Sequence, residues 1–359
     1  LKRCPAELTV WAADKPYIRA LAQYSQGLLM VIQRGTGGNT SYFFGEISNI
    51  AWPLYFPAVY LLKEQFSFHL MTLLALAALF LYLIPQKKIA SIYIQKSFYQ
   101  KCEEAFLKLR DAVRDHFEIF SLALFIAVYF YVSMRGNLNI GVRHLIPAIL
   151  MMYMLVARGL SLWLKESEVS MHPRNMKSVS YLILLKEGFK SASHSFQKKV
   201  VIGVLITSYS IITILAFPQF LPYFYVLAGG TENGHKYVVD SNYDWGQDLK
   251  RLATWVKENR LPSIGIHYFG GGKPEYYIKD AEVLWWWDIE RIKVSKFQSL
   301  KAERELPKYF AISATFVEYA NGTPVPGFES QRPDEPWFPW VQGKTPIARA
   351  GYSIFIYEL

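Results

Sequence analysis

The sequence predicts a membrane α-helical bundle, with about four transmembrane helices in this fragment, followed by a small extracytoplasmic α/β domain. Four apolar stretches have close to the roughly 17 to 25 residues that a helix needs to cross a bilayer, although the second is short. The segments between them alternate between many and few Lys and Arg residues, which predicts their orientation. After Phe217 the chain changes to short alternating runs that are typical of a soluble domain.

The predicted spans divide the chain into three regions. Basic residues are frequent after the first span and after the third, so both of these segments are predicted to be cytoplasmic. Residues 1–65 and 218–359 are then extracytoplasmic, the former as a loop with an interfacial helix and the latter as the α/β domain. The transmembrane region, residues 66–217, contains the predicted helices 66–84, 119–133, 145–164 and 200–217.

Two shorter segments are predicted to lie along the membrane surface. Residues 50–62 are apolar but too short to span, and they contain Pro53 and Pro57, so we expect an interfacial or re-entrant helix. Residues 98–113, in the first cytoplasmic loop, carry apolar side chains at helical spacing. An amphipathic helix is therefore expected there.

The C-terminal region shows the periodicities of a mixed α/β domain. A helix is predicted at residues 245–258, where apolar side chains recur at helical spacing between two runs of alternating character. The Pro-rich run 322–346 is predicted to be a loop. The predicted strands are 236–240, 263–269, 309–317 and 352–358.

Composition excludes several classes of protein. With 52% hydrophobic residues and a mean hydropathy of +0.11, the chain is too polar for a wholly buried bundle and too apolar for an ordinary soluble enzyme. Much of the formal charge of +10 lies in the predicted cytoplasmic loops, so we expect the lipid bilayer, and no nucleic acid, as a partner. Cys4 and Cys102 are predicted on opposite faces and so cannot pair, and no Cys/His spacing indicates a metal site.

The start of the chain predicts that a further part of the protein precedes it. Residues 1–17 have neither the basic start nor the apolar run of a signal sequence. A first membrane segment that would set the orientation is also missing. We therefore expect a fragment that lacks its N-terminal part.

The densest cluster of polar residues is 228–234 followed by 240–249. A structural interpretation is favoured, because Asp244 can cap the following helix, Gln247 can complete a capping box, and Asp248 suits the positive end of the helix dipole. A functional role in binding an acceptor is the alternative. The candidate residues are Asp240, Asn242, Asp244, Trp245, Gln247 and Asp248.

A second cluster, residues 137–144, lies at the predicted outer end of the third span. Arg143 and His144 can bind a phosphate at the membrane surface, because an arginine stays charged and offers a bidentate fork. The alternative is that both residues are interfacial anchors. Basic residues on the outer face run against the usual bias, so the two interpretations stay open.

A third cluster comprises residues 42–48, 55–57 and 61–63. Glu46 is a candidate for proton transfer on the outer face, and Lys63, at the outer end of the first span, is a candidate for neutralising a phosphate. A solvated glutamate and an anchoring lysine are the favoured alternative.

Two aromatic runs, residues 285–287 and 337–340, offer ring surfaces that can stack on sugars or rest on the membrane. The sequence does not discriminate between these two uses. The triple glycine at 270–272 lacks the wider glycine pattern of a nucleotide-binding loop and is predicted to be a turn.

In these three clusters the chain resembles the membrane glycosyltransferases of family 39 and their bacterial relatives, the protein mannosyltransferase and aminoarabinose transferase group. Their order and spacing fit, and the resemblance extends from Tyr42 to about Phe269. The last block is the most specific. The matching segments are 42–46 with 55–57 and 62–63, then 139–147, then 228–230 with 233–234 and 240–249.

The resemblance implies a GT-C type bundle that transfers a sugar from a polyprenyl-phosphate donor to a protein, lipid or glycan acceptor. It implies a bacterial inner (plasma) membrane protein, no certain cofactor, and leaves a divalent metal open. Lys63, Arg143 and His144 are then expected to bind the donor phosphate, converging on one cavity. The family's catalytic aspartate lies in a first outer loop that no stretch here matches, so no catalytic base is carried over.

A non-enzymatic membrane protein is the alternative, such as an assembly or transport component whose outer domain binds a partner or a glycan. A transporter is expected to have polar or broken helices within the bilayer. The predicted spans are largely apolar, which favours the enzyme.

Overall fold

The computed structural model describes residues 5–83, 98–169, 181–297, 305–329 and 338–359. The chain divides into two compact units. The mixed unit contains residues 1–63, 133–143 and 221–359, and the helical unit contains residues 64–132 and 144–220. Residues 1–63 and 221–359, which the sequence assigns to separate regions, therefore belong to the same unit.

Helices predominate in the described ranges, and we number them in chain order. The helices are α1 (Pro5–Ala13), α2 (Arg19–Gly37), α3 (Tyr55–Lys63), α4 (Phe66–Leu83), α5 (Phe98–Asp115), α6 (Phe117–Arg135), α7 (Ile146–Val169), α8 (Tyr181–Ala216), α9 (Gly230–Asn233), α10 (Leu249–Glu258), α11 (Pro274–Tyr277), α12 (Trp286–Phe297) and α13 (Ala314–Asn321).

Four helical stretches within the described residues are long and apolar enough to cross a membrane, which confirms the four predicted segments as helices. The second is longer than its sequence pattern indicates, because the helix continues through polar residues at both ends. The basic residues at 87, 88, 96, 174 and 177, on which the predicted orientation partly depends, lie outside the described residues. The four stretches are Phe66–Leu83, Phe117–Arg135, Val142–Lys165 and Ser195–Ala216.

Close packing of α4 against α7 forms the centre of the helical unit. Gly159 lies against Ala75, where an added Cβ would stand 2.7 Å from the alanine Cβ. Small residues at such a crossing let two helix backbones approach closely. Phe68, Met71 and Leu160 are buried around this contact. The predicted amphipathic segment 98–113 is confirmed as helix α5.

The mixed unit is built on a five-stranded sheet with the order β4-β3-β5-β8-β7. Strand β3 runs parallel to β4 and β5, while β8 runs antiparallel to β5 and β7. Helix α10 covers one face with Leu252 and Val256, which are buried against Ile264 and Ile356. The strands are β3 (Ser263–His267), β4 (Glu282–Trp285), β5 (Tyr309–Ser313), β7 (Ala348–Ala350) and β8 (Ile354–Glu358).

A second, three-stranded sheet joins the first part of the chain to the last. It has the order β1-β2-β6, formed by Ser41–Phe43, Glu46–Ser48 and Thr323–Pro324. Strands β1 and β2 are a hairpin, and β2 pairs in parallel with β6. This pairing joins the hairpin at residues 41–48 to residues 323–324 in one sheet.

Several predicted elements of the mixed unit need correction. The predicted strand 236–240 is wrong: residues Gly234–Lys236 and Asp240–Asn242 are short 3-10 helices, and Val238 forms only an isolated bridge to Phe43. The first strand of the predicted strand–helix–strand unit is therefore absent. The strand predicted over residues 309–317 ends at Ser313, and the chain continues from Ala314 as helix α13.

Other predictions agree with the structure apart from their ends. Strands 263–269 and 352–358 are confirmed as β3 and β8 with shorter bounds. The segment 50–62 contains the nine-residue helix α3, too short to span a bilayer. The predicted loop 322–346 holds the two residues of β6 and a 3-10 turn at Pro339–Val341, while residues 330–337 lie outside the described ranges.

Candidate functional site

Asn242 connects the three clusters that the sequence singles out. Its side chain is fully buried, with Oδ1 accepting a hydrogen bond from the backbone N–H of Val142 at 2.8 Å. Its Nδ2 donates to the hydroxyl of Tyr55 at 2.6 Å. Its backbone carbonyl accepts a hydrogen bond from the ammonium of Lys63 at 2.5 Å. One asparagine thus binds helix α3 and the segment before α7.

Lys63 ends helix α3 with its ammonium group enclosed by protein, although the residue as a whole is only half-buried. Besides Asn242, the ammonium donates to the carbonyl of Leu221 at 2.7 Å, and it lies 4.6 Å from the ring centroid of Phe224. Burial lowers the pKa of Lys63 to about 7. Two of the three N–H groups of the Lys63 ammonium thus donate to backbone carbonyls, those of Asn242 and Leu221.

The charged group of Arg143, unlike that of Lys63, belongs to an exposed side chain. Its guanidinium lies 4.9 Å from the ring centroid of Trp245, and both side chains are exposed, Trp245 by 50%. A guanidinium over an indole face is attracted by the ring quadrupole while its N–H edge stays accessible. Arg143 and Trp245 thus form an exposed cationic and aromatic pair beside the Asn242 junction.

The segment before Arg143 is held by hydroxyl groups. Ser41 donates to the carbonyl of Asn139 at 2.9 Å, and Ser241 donates to the carbonyl of Ile140. Gly141 lies directly against Ser241, so a Cβ at this position would collide with the serine hydroxyl. The close approach requires a glycine here.

His144 belongs to the helical unit. Its carbonyl accepts a hydrogen bond from the hydroxyl of Tyr129 at 2.9 Å, and its residue surface is half-buried. Lys63 bonds to Asn242, and Arg143 follows Val142, which also bonds to Asn242. Both cations therefore lie at the Asn242 junction within the mixed unit. The predicted convergence of Lys63, Arg143 and His144 on one cavity stays a prediction.

Asp244 is completely buried, but it does not cap a helix. Its Oδ1 accepts the N–H of Gly246 at 3.1 Å, and its Oδ2 has no hydrogen-bond partner among the described residues. Burial raises the pKa of Asp244 to about 7, and the nearby charge of Asp248 adds to this effect. The hydroxyls of Ser313 and Ser353 offset part of the shift without bonding to Oδ2 at normal geometry.

The predicted capping box is wrong because α10 begins at Leu249, four residues later than expected. Gly246 has a φ of 82°, which breaks the helical path at that point. Gln247 instead stabilises a turn, since its Oε1 accepts the N–H of Trp245 and its Nε2 donates to Tyr243, both at 2.9 Å.

Asp248 occupies the N-cap position of α10 without capping it. Its fully buried carboxylate accepts hydrogen bonds from the backbone of Tyr352 and Ser353, both at 2.9 Å, and from the Ser353 hydroxyl at 3.0 Å. Arg251 adds an ion pair at 2.6 Å. Asp248 therefore fixes the turn between β7 and β8, a structural role.

Asp240 and Glu46 lie at the edges of this arrangement. Asp240 has a φ of 56°, a left-handed conformation that Asp tolerates better than most residues, and its carboxylate accepts the N–H of Ser241. Glu46 is exposed at the start of β2, paired in register with Phe43 and Thr323. Its assignment as a candidate base stays a prediction.

No protein-family model, curated protein or solved structure matches this chain. In the described ranges, no group of three or more His, Cys, Asp or Glu side chains is arranged to hold a metal ion. The function is therefore proposed from the chemistry of these side chains and from the resemblance of the three clusters.

One buried pair, His235 and Glu318, has no signal in the sequence. His235 Nδ1 lies 2.6 Å from Glu318 Oε1, and both side chains are less than a tenth exposed. The two residues are 83 positions apart, so neither periodicity nor spacing connects them. The pair ties the turn after α9 to α13.

Proposed function

We propose that this protein is a membrane glycosyltransferase that transfers a sugar from a polyprenyl-phosphate donor to an acceptor on the outer face of the membrane. The observation that carries the proposal is the meeting of three clusters, distant in sequence, at Asn242 through hydrogen bonds that are buried or partly buried. These same clusters carry the resemblance to glycosyltransferase family 39. Their meeting favours a shared site over three independent membrane anchors.

In the proposed orientation, the four apolar helices cross a bacterial plasma membrane and the mixed unit lies outside the cytoplasm. The Lys/Arg-rich segments after the first and third stretches support this orientation, because such segments tend to remain cytoplasmic. A polyprenyl-phosphate donor keeps its tail in the lipid, so its phosphate lies at the membrane surface. An extracytoplasmic unit that is continuous in sequence with the membrane helices can reach it.

Arg143 is the proposed ligand of the donor phosphate. Stacking on Trp245 orients its guanidinium plane and leaves its edge available for bidentate binding of phosphate oxygens. Lys63 is proposed to position the site, since its ammonium already holds the backbone of Asn242. His144 belongs to the helical unit, and its role in binding the phosphate stays a prediction.

The proposed reaction is a substitution at the anomeric carbon of the donor sugar. The acceptor hydroxyl forms a bond to this carbon as the bond to the lipid phosphate oxygen breaks. Arg143 stabilises the negative charge that the leaving phosphate gains. A carboxylate takes the hydroxyl proton, and Glu46 is the candidate within this chain.

The test measures sugar transfer by the full-length protein, reconstituted in liposomes, from a panel of radiolabelled polyprenyl-phosphate sugars to extracted membrane acceptors. We expect Arg143→Ala to lower kcat/KM at least tenfold and Arg143→Lys to restore part of it, because a lysine keeps the charge but loses the fork. Arg349→Ala is a matched control, since this exposed arginine also lies over an aromatic ring, that of Phe355, at 4.3 Å.

Two results would reject the proposal at different levels. Absence of transfer from every donor of the panel by the wild-type protein rejects the enzymatic function. Equal activities of Arg143→Ala and Arg349→Ala, with transfer present, reject only the assignment of Arg143 to the phosphate.

A further inference from the structure

An aromatic surface on the mixed unit takes no part in the Asn242 junction. The rings of Trp285 and Trp287 are stacked, with centroids 4.9 Å apart and planes only 6° from parallel. Trp287 is 41% exposed. The ring centroid of Trp286, the residue between them in sequence, lies 6.1 Å from that of His267. The two flanking indoles thus form a stack whose outer member is accessible.

Polar contacts fix this stack before any ligand arrives. The indole Nε1 of Trp285 donates to Glu275 at 2.7 Å, and the backbone N–H of Trp285 donates to Asp288 at 3.1 Å. An aromatic side chain whose orientation is already set loses little conformational entropy on binding. These bonds hold Trp285 in place, and Trp287 is packed against its ring.

Two tyrosines extend the surface beside Glu275. Tyr276 is 69% exposed and Tyr277 is 43% exposed, and their rings meet edge to face at 5.2 Å. Because Glu275 bonds to Trp285, helix α11 and the end of β4 are adjacent. We call Tyr276, Tyr277, Trp285 and Trp287 the aromatic platform.

The charges around the aromatic platform discriminate between its possible ligands. Residues 273–291 contain five carboxylates, at 275, 280, 282, 288 and 290, and three basic residues, Lys273, Lys279 and Arg291, of which Lys279 lies 5.6 Å from the ring centroid of Tyr276. The surplus of carboxylates disfavours anionic lipid headgroups and nucleic acids, since both are bound through Lys and Arg. A neutral, hydroxyl-rich ligand suits it, because carboxylates accept hydrogen bonds from hydroxyl groups.

We infer that the aromatic platform binds a neutral saccharide. A pyranose ring has an apolar face of C–H groups that can lie on the exposed face of Trp287, while hydroxyls at its edge reach carboxylates such as Glu275. This binding goes beyond the proposed function, because it requires neither the lipid-linked donor nor sugar transfer.

The test uses the full chain in phosphatidylcholine nanodiscs, titrated with cellohexaose, chitohexaose and maltohexaose and followed by saturation-transfer NMR. We expect at least one of these saccharides to bind saturably, and Trp287→Ala to weaken that binding at least tenfold. Trp287→Tyr, which keeps an aromatic face, is expected to bind that saccharide more tightly than Trp287→Ala. Trp11→Ala is the control, since Trp11 is 49% exposed and lies outside the platform.

Three outcomes would overturn the inference. One is the absence of saturable binding to all three saccharides. Another is equal affinity in Trp287→Ala and Trp11→Ala. The third is that brominated phosphatidylcholine quenches the tryptophan fluorescence of the wild type but quenches that of Trp287→Ala less, because this result would locate the Trp287 ring in the bilayer. Each readout is obtained without donor lipid, so it is independent of sugar transfer.

Discussion

Replacing Asn242 by alanine removes every hydrogen bond of the Asn242 side chain while leaving the backbone of this residue in place. The N–H of Val142 loses its acceptor, and the buried hydroxyl of Tyr55 loses the amide that donates to it. The bond from Lys63 goes to the backbone carbonyl of residue 242, so it is expected to remain. The substitution therefore tests the side chain alone.

The expected cost follows from these groups. A donor left without a partner costs about 1 to 3 kcal/mol, and the lost contact of the tyrosine, together with the small cavity, adds about 1 to 2 kcal/mol. We expect a loss of about 2 to 5 kcal/mol. For a unit of this size, this corresponds to a fall in Tm of about 5 to 15 °C. Thermal unfolding in detergent, followed by near-UV circular dichroism at one fixed scan rate, measures it.

Asn259→Ala provides the control, because Asn259 is exposed and its side chain donates only to the neighbouring turn, at Trp255. We expect this change to lower the stability by less than about 0.5 kcal/mol, as for most surface substitutions. If both variants unfold at the same temperature, the side chain of Asn242 does not hold the three clusters together.

Two further changes test the buried turn that precedes α10. Because burial raises the pKa of Asp244 to about 7, protonation of this carboxylate stabilises the folded protein. This stabilisation is fully present below the ordinary pKa of 3.8 and is lost as the pH rises through 7. Asp244→Asn is expected to remove this pH dependence, which amounts to at most about 4 kcal/mol in the free energy of unfolding. Urea unfolding between pH 4 and 8 measures it. If the free energy of unfolding of the variant changes with pH as in the wild type, Asp244 is not the source of the pH dependence. Gly351→Ala is expected to cost at least about 2 kcal/mol, since φ is 62° and the new Cβ would meet the Asp248 carboxylate. Gly343 has a φ of 71° and open space around it, so Gly343→Ala is expected to lose only the stability that the backbone strain of an alanine at positive φ costs. Equal losses of stability in Gly351→Ala and Gly343→Ala, measured by urea unfolding, would rule out the collision with Asp248.

The sequence predicts the elements whose signal is local. The four long helices follow from the length of their apolar runs, and β3 and β8 follow from alternation. The strand predicted at 236–240 fails although Val238 and Val239 favour strands, because this backbone has only one isolated bridge available and turns at Asp240. Local preference is overridden here because pairing with the neighbouring strand β1 is limited to this single bridge.

The candidate site was predictable only in part. Arg143 and Lys63 were singled out as cations, but the sequence could not distinguish the exposed guanidinium from the enclosed ammonium, since that difference depends on Phe224 and on two backbone carbonyls. The capping interpretation of Asp244 failed because Gly246 supports several conformations and only the folded structure selects one.

The junction at Asn242 also has a consequence for biogenesis. Its carbonyl bonds to a lysine made 179 residues earlier, and its side chain bonds to a backbone amide made 100 residues earlier. During synthesis, Lys63 and Val142 must leave the ribosome and wait while the intervening helices are translated, before their acceptor exists. Contacts of such long range form late and slowly, so the mixed unit completes its structure only after the two segments between its parts, residues 64–132 and 144–220, have been translated.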